Sequence, residues 1–176
     1  VVALCRSLAI VLVPVSLEMV YEHLTMTNFF SVFNGAPIVP EFREGHIRAS
    51  GPFAHAILAG TVGASMFPLM VGARRYIKGT ATLGIVACTT MVITSASSSP
   101  IVSAACAGAA LVAWKASGRM RWIRWAALSG YVALDIVMKA PAYYLLARID
   151  IAGGSTGWHR ARLIEAALEH FGEWWL

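Results

Sequence analysis

The chain has 176 residues, of which 58% are hydrophobic and only 13% are charged, and its mean hydropathy is +0.67. Ordinary soluble domains carry about 25% charged residues, so this composition excludes a soluble globular fold. It predicts an all-α fold, a polytopic transmembrane helical bundle. The net charge of +5 does not indicate a nucleic-acid partner, because most of the basic excess falls in two short loops.

Five stretches approach or reach the roughly 17 to 25 apolar residues that a helix needs to cross a bilayer. They lie near residues 1–21, 54–72, 80–97, 99–115 and 123–147. Only Ser97–Pro100 separates the third stretch from the fourth. The chain begins with Val-Val and ends with Trp-Trp-Leu, so we expect a single membrane domain that is a fragment of a longer protein, truncated at both ends. Cys5, Cys88 and Cys106 lie inside apolar stretches and predict neither a disulfide framework nor a metal site.

The basic residues predict the orientation of the spans. One loop contains Arg74, Arg75 and Lys78, the other contains Lys115, Arg119, Arg121 and Arg124, and neither loop contains an acidic residue. Short loops rich in Lys and Arg stay on the cytoplasmic side of a membrane. We therefore expect residues 22–53 to form an outer loop and residues 148–176 to form an outer tail.

Two arginines of the predicted outer loop are candidates for binding a lipid-linked diphosphate. They are Arg43 and Arg48, whose planar guanidinium groups match phosphate oxygens. Because Gly45 and the Gly51-Pro52 pair break helices, we expect both arginines on irregular backbone just before the second span.

Each of these residues also has a structural interpretation. Arg43 and Arg48 could reach lipid headgroups or pair with Glu41 and Glu44. His55, which the sequence places inside the second span, could pack between helices or lie at the membrane interface.

The tail STGWHRARLIEAALEHFGEWWL, residues 155–176, predicts an amphipathic helix that starts after a Ser-Thr-Gly cap. Its apolar stripe comprises Ile164, Leu168, Phe171 and Trp175. His159 is available for proton transfer or hydrogen bonding, and Arg160 or Arg162 for binding an anion at a helix N-terminus. The alternative is an interfacial helix in which Arg162 pairs with Glu165.

A shared metal ion is excluded for the tail histidines. His159 and His170 are eleven positions apart, which is roughly 16 Å along a helix. The sequence therefore predicts no metal ligand and no cofactor.

Ionisable and small residues inside the apolar stretches suggest internal packing. Asp135 and Lys139 are four positions apart and are predicted to neutralise each other, whereas Glu18 is expected to reach water near the end of the first span. Pro141 predicts a kink in the fifth span. Small residues that predict close helix packing are Gly60, Gly63 and Ala64, and Ala105, Gly108 and Ala109.

Three segments share their pattern with a known family. They are RASGPFAHAILAG from Arg48 to Gly60, ITSASSSP from Ile93 to Pro100, and the tail from Ser155 onward. Together they resemble the O-antigen ligase and O-antigen polymerase family of bacterial polysaccharide assembly, over most of the chain from about Glu41. The resemblance implies a metal-independent membrane glycosyltransferase on the outer side of the bacterial cytoplasmic membrane. Its partners would be an undecaprenyl-diphosphate-linked glycan donor, a glycan or lipid-glycan acceptor, and membrane lipids.

The resemblance also implies roles for particular residues. Arg48 and Arg160 would bind the diphosphate and His159 would activate the acceptor hydroxyl, with Arg43, Arg162 and His55 as second choices. The chain departs from the family at Ala96, where many relatives carry an Arg after Thr-x-Ser. If that Arg holds phosphate in the relatives, this chain must replace it.

Two other functions stay open at the level of sequence. A transporter or flippase for polysaccharide precursors would use the same arginines to bind its substrate but would catalyse no reaction. A non-catalytic scaffold of an assembly complex would need neither substrate binding nor catalysis. The sequence does not distinguish ligation from polymerisation.

Overall fold

A computed structural model describes residues 2–33, 35–43, 45–138, 141–145 and 157–174, and most of them are helical, as predicted. The chain divides into two compact units, Val1–Val112 and Ala113–Leu176. The predicted Asp135–Lys139 pair and the tail residue Trp175 involve positions outside the described residues.

The described residues of the first unit form four α-helices, a 3₁₀ turn (Phe29–Val32) and a short hairpin. The helices and strands are α1 (Val2–Thr25), β1 (Glu41–Arg43), β2 (His46–Arg48), α2 (Ala56–Ala73), α3 (Lys78–Thr94) and α4 (Ser98–Ala113). Helix α3 packs against both α1 and α2. Their shared core is built largely from small residues and methionines, including Ala9, Met19, Met70, Cys88 and Met91.

Backbone conformation explains where two of these helices end. Met26 has a φ of 57°, and its N–H donates to the Glu22 carbonyl, which is a left-handed helix stop directly after α1. Ala96 has a φ of 41° and turns the chain between α3 and α4. Helix α1 therefore continues past residue 21, where the sequence predicted the span to end, and Glu22 belongs to the helix.

The small residues of α2 make the predicted close contacts, but those of α4 do not. A Cβ on Gly63 would lie 2.8 Å from the Cys88 carbonyl oxygen, so α2 and α3 approach closely there. A Cβ on Gly108 would meet nothing within 4 Å, and Ala105 and Ala109 are exposed.

The expectation of irregular backbone around Arg43 and Arg48 was wrong. β1 and β2 pair antiparallel, with Glu41 opposite Arg48 and Arg43 opposite His46. This register leaves a two-residue turn that contains Gly45, whose φ is 85°. Glycine adopts positive φ without strain, so the residue expected to break structure instead closes a hairpin.

The second unit contains a 3₁₀ turn (Trp114–Arg119), α5 (Met120–Val137), a 3₁₀ turn (Ala142–Tyr144), α6 (Gly157–Glu169) and α7 (Phe171–Trp174). Helix α5 ends at Val137, and Met138 is extended, so the helix stops ten residues before the predicted end at 147. If α5 continued through Pro141, the proline ring would clash with the Val137 carbonyl. This clash explains why the helix ends before Pro141, where the sequence predicted a kink. The Asp135 carboxylate accepts a 2.8 Å hydrogen bond from the Ala142 N–H.

Within the described residues, three helical stretches are long and apolar enough to cross a membrane. They are Val2–Thr25, Ala56–Ala73 and Ser98–Val137, the last of which includes α4, the 3₁₀ turn at 114–119 and α5. Helix α3 is also apolar but has 17 residues. The sequence predicted five spans in the same regions, with this last stretch divided into two of them.

Candidate functional site

Polar residues gather at one end of the first unit. Here α1 and α3 end and α2 and α4 begin, and residues 26–55 cover this end. The Ala49 N–H donates a 3.0 Å hydrogen bond to the Thr94 carbonyl, which ties the hairpin to the last turn of α3. We call this the carboxylate end, because Glu18 and Glu22 are buried in it.

Glu22 anchors the backbone that follows the hairpin. Its Oε2 accepts hydrogen bonds from the Ser50 N–H at 2.9 Å and from the Gly51 N–H at 2.8 Å. Its Oε1 accepts a 3.2 Å bond from the Asn28 side-chain amide, which also donates to the Gly51 carbonyl at 2.8 Å. Glu22 is fully buried, so these donors replace the water that its carboxyl oxygens would otherwise bind.

Glu18 lies one helical turn before Glu22 and has fewer partners. Its Oε1 accepts a 3.1 Å bond from the Phe29 N–H, and its buried Oε2 has no hydrogen-bond partner among the described residues. The expectation that Glu18 reaches water was wrong, because the residue is 9% exposed. Gly51, with a φ of 55°, passes so close that a Cβ there would lie 3.3 Å from Glu18 Oε2.

Arg48 is buried at the base of the hairpin. Its Nη1 lies 2.9 Å from Glu41 Oε1, and its buried Nε has no hydrogen-bond partner in the described part of the chain. The ion pair with Glu41 is the structural alternative considered from the sequence. Diphosphate binding by Arg48 stays a prediction, for which the Nε–H is the available donor.

Arg43 and His55 lie on segments that reach the same end. Arg43 is half-buried on β1, opposite His46 on β2. His55 is exposed, and its backbone is extended immediately before α2. It therefore precedes the helix instead of entering it, and its side chain makes no capping hydrogen bond.

The remaining predicted site residues lie in the first two turns of α6, in the second unit. His159 and Arg160 are exposed, and the rings of His159 and Trp158 pack edge to face with centroids 5.4 Å apart. Arg162 pairs with Glu165 at 2.8 Å and lies over the Trp158 ring at 5.4 Å from its centroid. The Arg162 guanidinium, with help from the Tyr144 hydroxyl, holds the pKa of Glu165 below its usual range.

Helix α6 includes Gly157, whereas the sequence predicted a start after this residue, and Ser155 and Thr156 of the predicted cap lie outside the described residues. The Arg162–Glu165 pair is the alternative that the sequence offered for this helix. Leu168 and Phe171 of the predicted apolar stripe are exposed. Buried Ala161 and half-buried Ile164 are on this helix, which packs against the 3₁₀ turn at 142–144.

The roles of Glu22, Asn28 and Ser50 were not predicted from the sequence. The sequence feature that could have indicated them is the pair Glu18 and Glu22, four positions apart at the end of an apolar span, with Asn28 close behind. Their partners in residues 50 and 51 are 28 and 29 positions away, which no local pattern indicates. Among the described residues, no three His, Cys, Asp or Glu side chains form a group that could hold a metal ion.

A scan against protein-family models, a search of curated proteins and a search of solved structures each gave no match. The likeness to the O-antigen ligase and polymerase family therefore rests on the three short segments alone.

Proposed function

We propose that the chain forms part of a polytopic glycosyltransferase of the bacterial cytoplasmic membrane, with its carboxylate end facing outward. The enzyme ligates or polymerises oligosaccharide carried on undecaprenyl diphosphate. Three segments that resemble the O-antigen ligase and polymerase family support this assignment.

The distribution of charge supports the orientation. The opposite end of the first unit, which we call the basic end, carries Arg74, Arg75 and Lys78 between α2 and α3. No acidic residue occurs in the sequence between Glu44 and Asp135. An excess of Lys and Arg in a short loop is typical of the cytoplasmic side, so the carboxylate end at the other end of these helices would face outward.

The main support for a diphosphate-binding site is the buried guanidinium of Arg48. Buried N–H groups in proteins nearly always have a partner, so the unbonded Nε is unusual and marks a position where a ligand oxygen would be stabilised. Arginine is also the side chain best matched to phosphate oxygens. Arg43 on β1 would add positive charge to the same hairpin.

In the proposed reaction, a hydroxyl of the acceptor glycan attacks the anomeric carbon of the donor sugar. A glycosidic bond forms as the bond from that carbon to the diphosphate oxygen breaks, and the electron pair leaves with the lipid diphosphate. The proton of the hydroxyl passes to a base, for which His159 is the candidate. Arg48 stabilises the negative charge that develops on the diphosphate.

Two variants separate substrate binding by Arg48 from a structural ion pair. In the complete protein in membranes, Arg48→Ala should lower transfer from a lipid-diphosphate donor by about 100-fold or more. Glu41→Gln removes the counter-charge but leaves the guanidinium in place, so transfer should persist. If Arg48 serves only to pair with Glu41, the two variants will lose transfer equally. Arg124→Ala, which removes an exposed arginine of α5, is the control for loss of charge.

His159→Ala should lower transfer by about 100-fold or more at normal protein levels, because it removes the proposed base. His170→Ala, an exposed histidine later in the same part of the chain, is the matched control and should leave transfer unchanged. Normal transfer in His159→Ala contradicts its catalytic role. Movement of the precursor across the membrane without a new glycosidic bond would instead identify a transporter.

A further inference from the structure

We infer that the basic end holds the phosphate of an anionic phospholipid headgroup, in a groove between the end of α2 and the start of α3. This site lies at the opposite end of the first unit from the proposed donor site. The inference uses the proposed membrane location but not the transferase activity.

Three basic residues line the charged part of the groove. Arg74 and Arg75 follow α2 directly, and Lys78 is the first residue of α3. All three side chains are exposed, and none forms an ion pair within the described part of the chain. The ninety residues from 45 to 134 contain no Asp or Glu side chain. The three basic side chains therefore have no acidic residue near them in the sequence, and a bound anion would neutralise their charge.

The start of α3 adds hydrogen-bond donors to this charge. The N-cap residue Ile77 makes no side-chain capping bond, so the first amides of a 17-residue helix are not capped by its side chain. A Cβ on Gly79 would meet nothing within 4 Å, so the first turn of the helix is open on this side. Free amides and basic side chains together suit a phosphate group.

Part of the groove wall is apolar. The whole groove has a volume of about 960 Å³, and Val71 and Leu83 line it together with the charged residues. Leu83 is 58% exposed on the side of α3. A phosphate beside an apolar wall matches the headgroup and upper acyl chain of a phospholipid better than a nucleic acid or a free phosphate ion. Basic pockets between membrane helices on the cytoplasmic side are known to select anionic lipids in this way.

The test measures lipid binding to the complete protein in a neutral detergent. Dioleoylphosphatidylglycerol is titrated and followed by native mass spectrometry and by the unfolding temperature, with dioleoylphosphatidylcholine and inorganic phosphate as comparison ligands. We expect saturable binding of the anionic lipid with a rise in unfolding temperature, and little effect from the other two. Equal binding of both lipids overturns the inference, as does phosphate alone binding as tightly as the anionic lipid.

Gly79→Glu is the sharpest variant. The new carboxylate has room and favours the first turn of a helix, so the unfolding temperature without lipid should not fall. Its negative charge should cancel about one basic charge near the membrane surface and so weaken phosphatidylglycerol binding by about 5-fold. Gly118→Glu makes the same change beside Lys115 and Arg119, where a Cβ also meets nothing within 4 Å, and should leave binding unchanged.

Arg74→Gln/Arg75→Gln/Lys78→Gln should weaken binding by about 100-fold, because three charges are removed. A matched Lys115→Gln/Arg119→Gln/Arg121→Gln variant removes equal charge from the other basic loop and should bind normally. Equal losses in the two triple variants would mean that the lipid responds to overall charge and would overturn the site. Transfer activity does not enter this test, so its outcome is separate from that of the glycosyltransferase proposal.

Discussion

Glu22 is the residue on which the carboxylate end depends most. Replacing it with Ala leaves the Ser50 and Gly51 amides buried without an acceptor, which we expect to lower the free energy of unfolding by about 2–4 kcal/mol. Denaturant unfolding of the purified protein in detergent measures this change. Glu169→Ala removes an exposed carboxylate and should stay within about 0.5 kcal/mol of the unchanged protein. Equal effects would show that the buried contacts contribute little.

Arg48 and Glu22 also show what the sequence can and cannot predict at the residue scale. The pairing of Arg48 with Glu41 was considered from the sequence, because the two residues lie close along the chain. The burial of Glu22 was not predicted, because its carboxyl oxygen accepts hydrogen bonds from amides of a segment on the far side of the hairpin. A carboxylate at the end of an apolar stretch is expected to face water unless such a distant partner is known.

At the scale of elements, the contact of α2 with the turn between α3 and α4 depends on Gly60. A Cβ there would collide with Ser95 Oγ and would lie 2.6 Å from Pro100 Cγ. Gly60→Ala should therefore lower the free energy of unfolding by about 1–3 kcal/mol. Gly72→Ala, in the same helix but with nothing within 4 Å, should be neutral or stabilise by up to about 1 kcal/mol. Thermal unfolding of the two variants in detergent makes the comparison, and a Gly60→Ala protein as stable as Gly72→Ala would contradict this packing.

The stability of helix α6 should depend on pH through the ionisation of Glu165. The Arg162 guanidinium lowers the pKa of this carboxyl, so the pair stabilises the helix above the ordinary carboxyl pKa and is lost as pH falls through the lowered value. We expect amide hydrogen exchange in residues 157–169, corrected for its intrinsic pH dependence, to be less protected at about pH 3 than at pH 7. Glu165→Gln should reduce this pH dependence and Glu169→Gln should preserve it. Identical profiles in the two variants would contradict a role for the pair.

Helix positions could be predicted from apolar length, but several helix ends could not. The left-handed conformations of Met26 and Ala96 end helices at residues that carry no typical stop signal. Pro141 was expected to bend a helix, yet α5 ends before it. The hairpin between Glu41 and Arg48 depends on a turn around Gly45, whereas the sequence alone favoured a break.

At the scale of the whole molecule, orientation is the central claim, because both proposed sites depend on it. The donor site requires the carboxylate end to face outward, and the phospholipid site requires the basic end to face the cytoplasm. The sequence predicts this arrangement from two basic loops, Arg74 to Lys78 and Lys115 to Arg124, since charge in short loops governs how helices insert. The fold places the first of these loops at the opposite end of the first unit from Glu22 and Arg48.

The most direct test introduces single cysteines at the two ends, after replacing Cys5, Cys88 and Cys106 with Ala. Val39→Cys and Tyr76→Cys are matched, because the native side chains are 61% and 68% exposed and lie on the carboxylate and basic sides respectively. Intact spheroplasts are treated with a membrane-impermeant maleimide. The proposed orientation predicts that Val39→Cys is labelled at once and that Tyr76→Cys is labelled only after the membrane is opened. Labelling of Tyr76→Cys but not Val39→Cys in intact spheroplasts would contradict it.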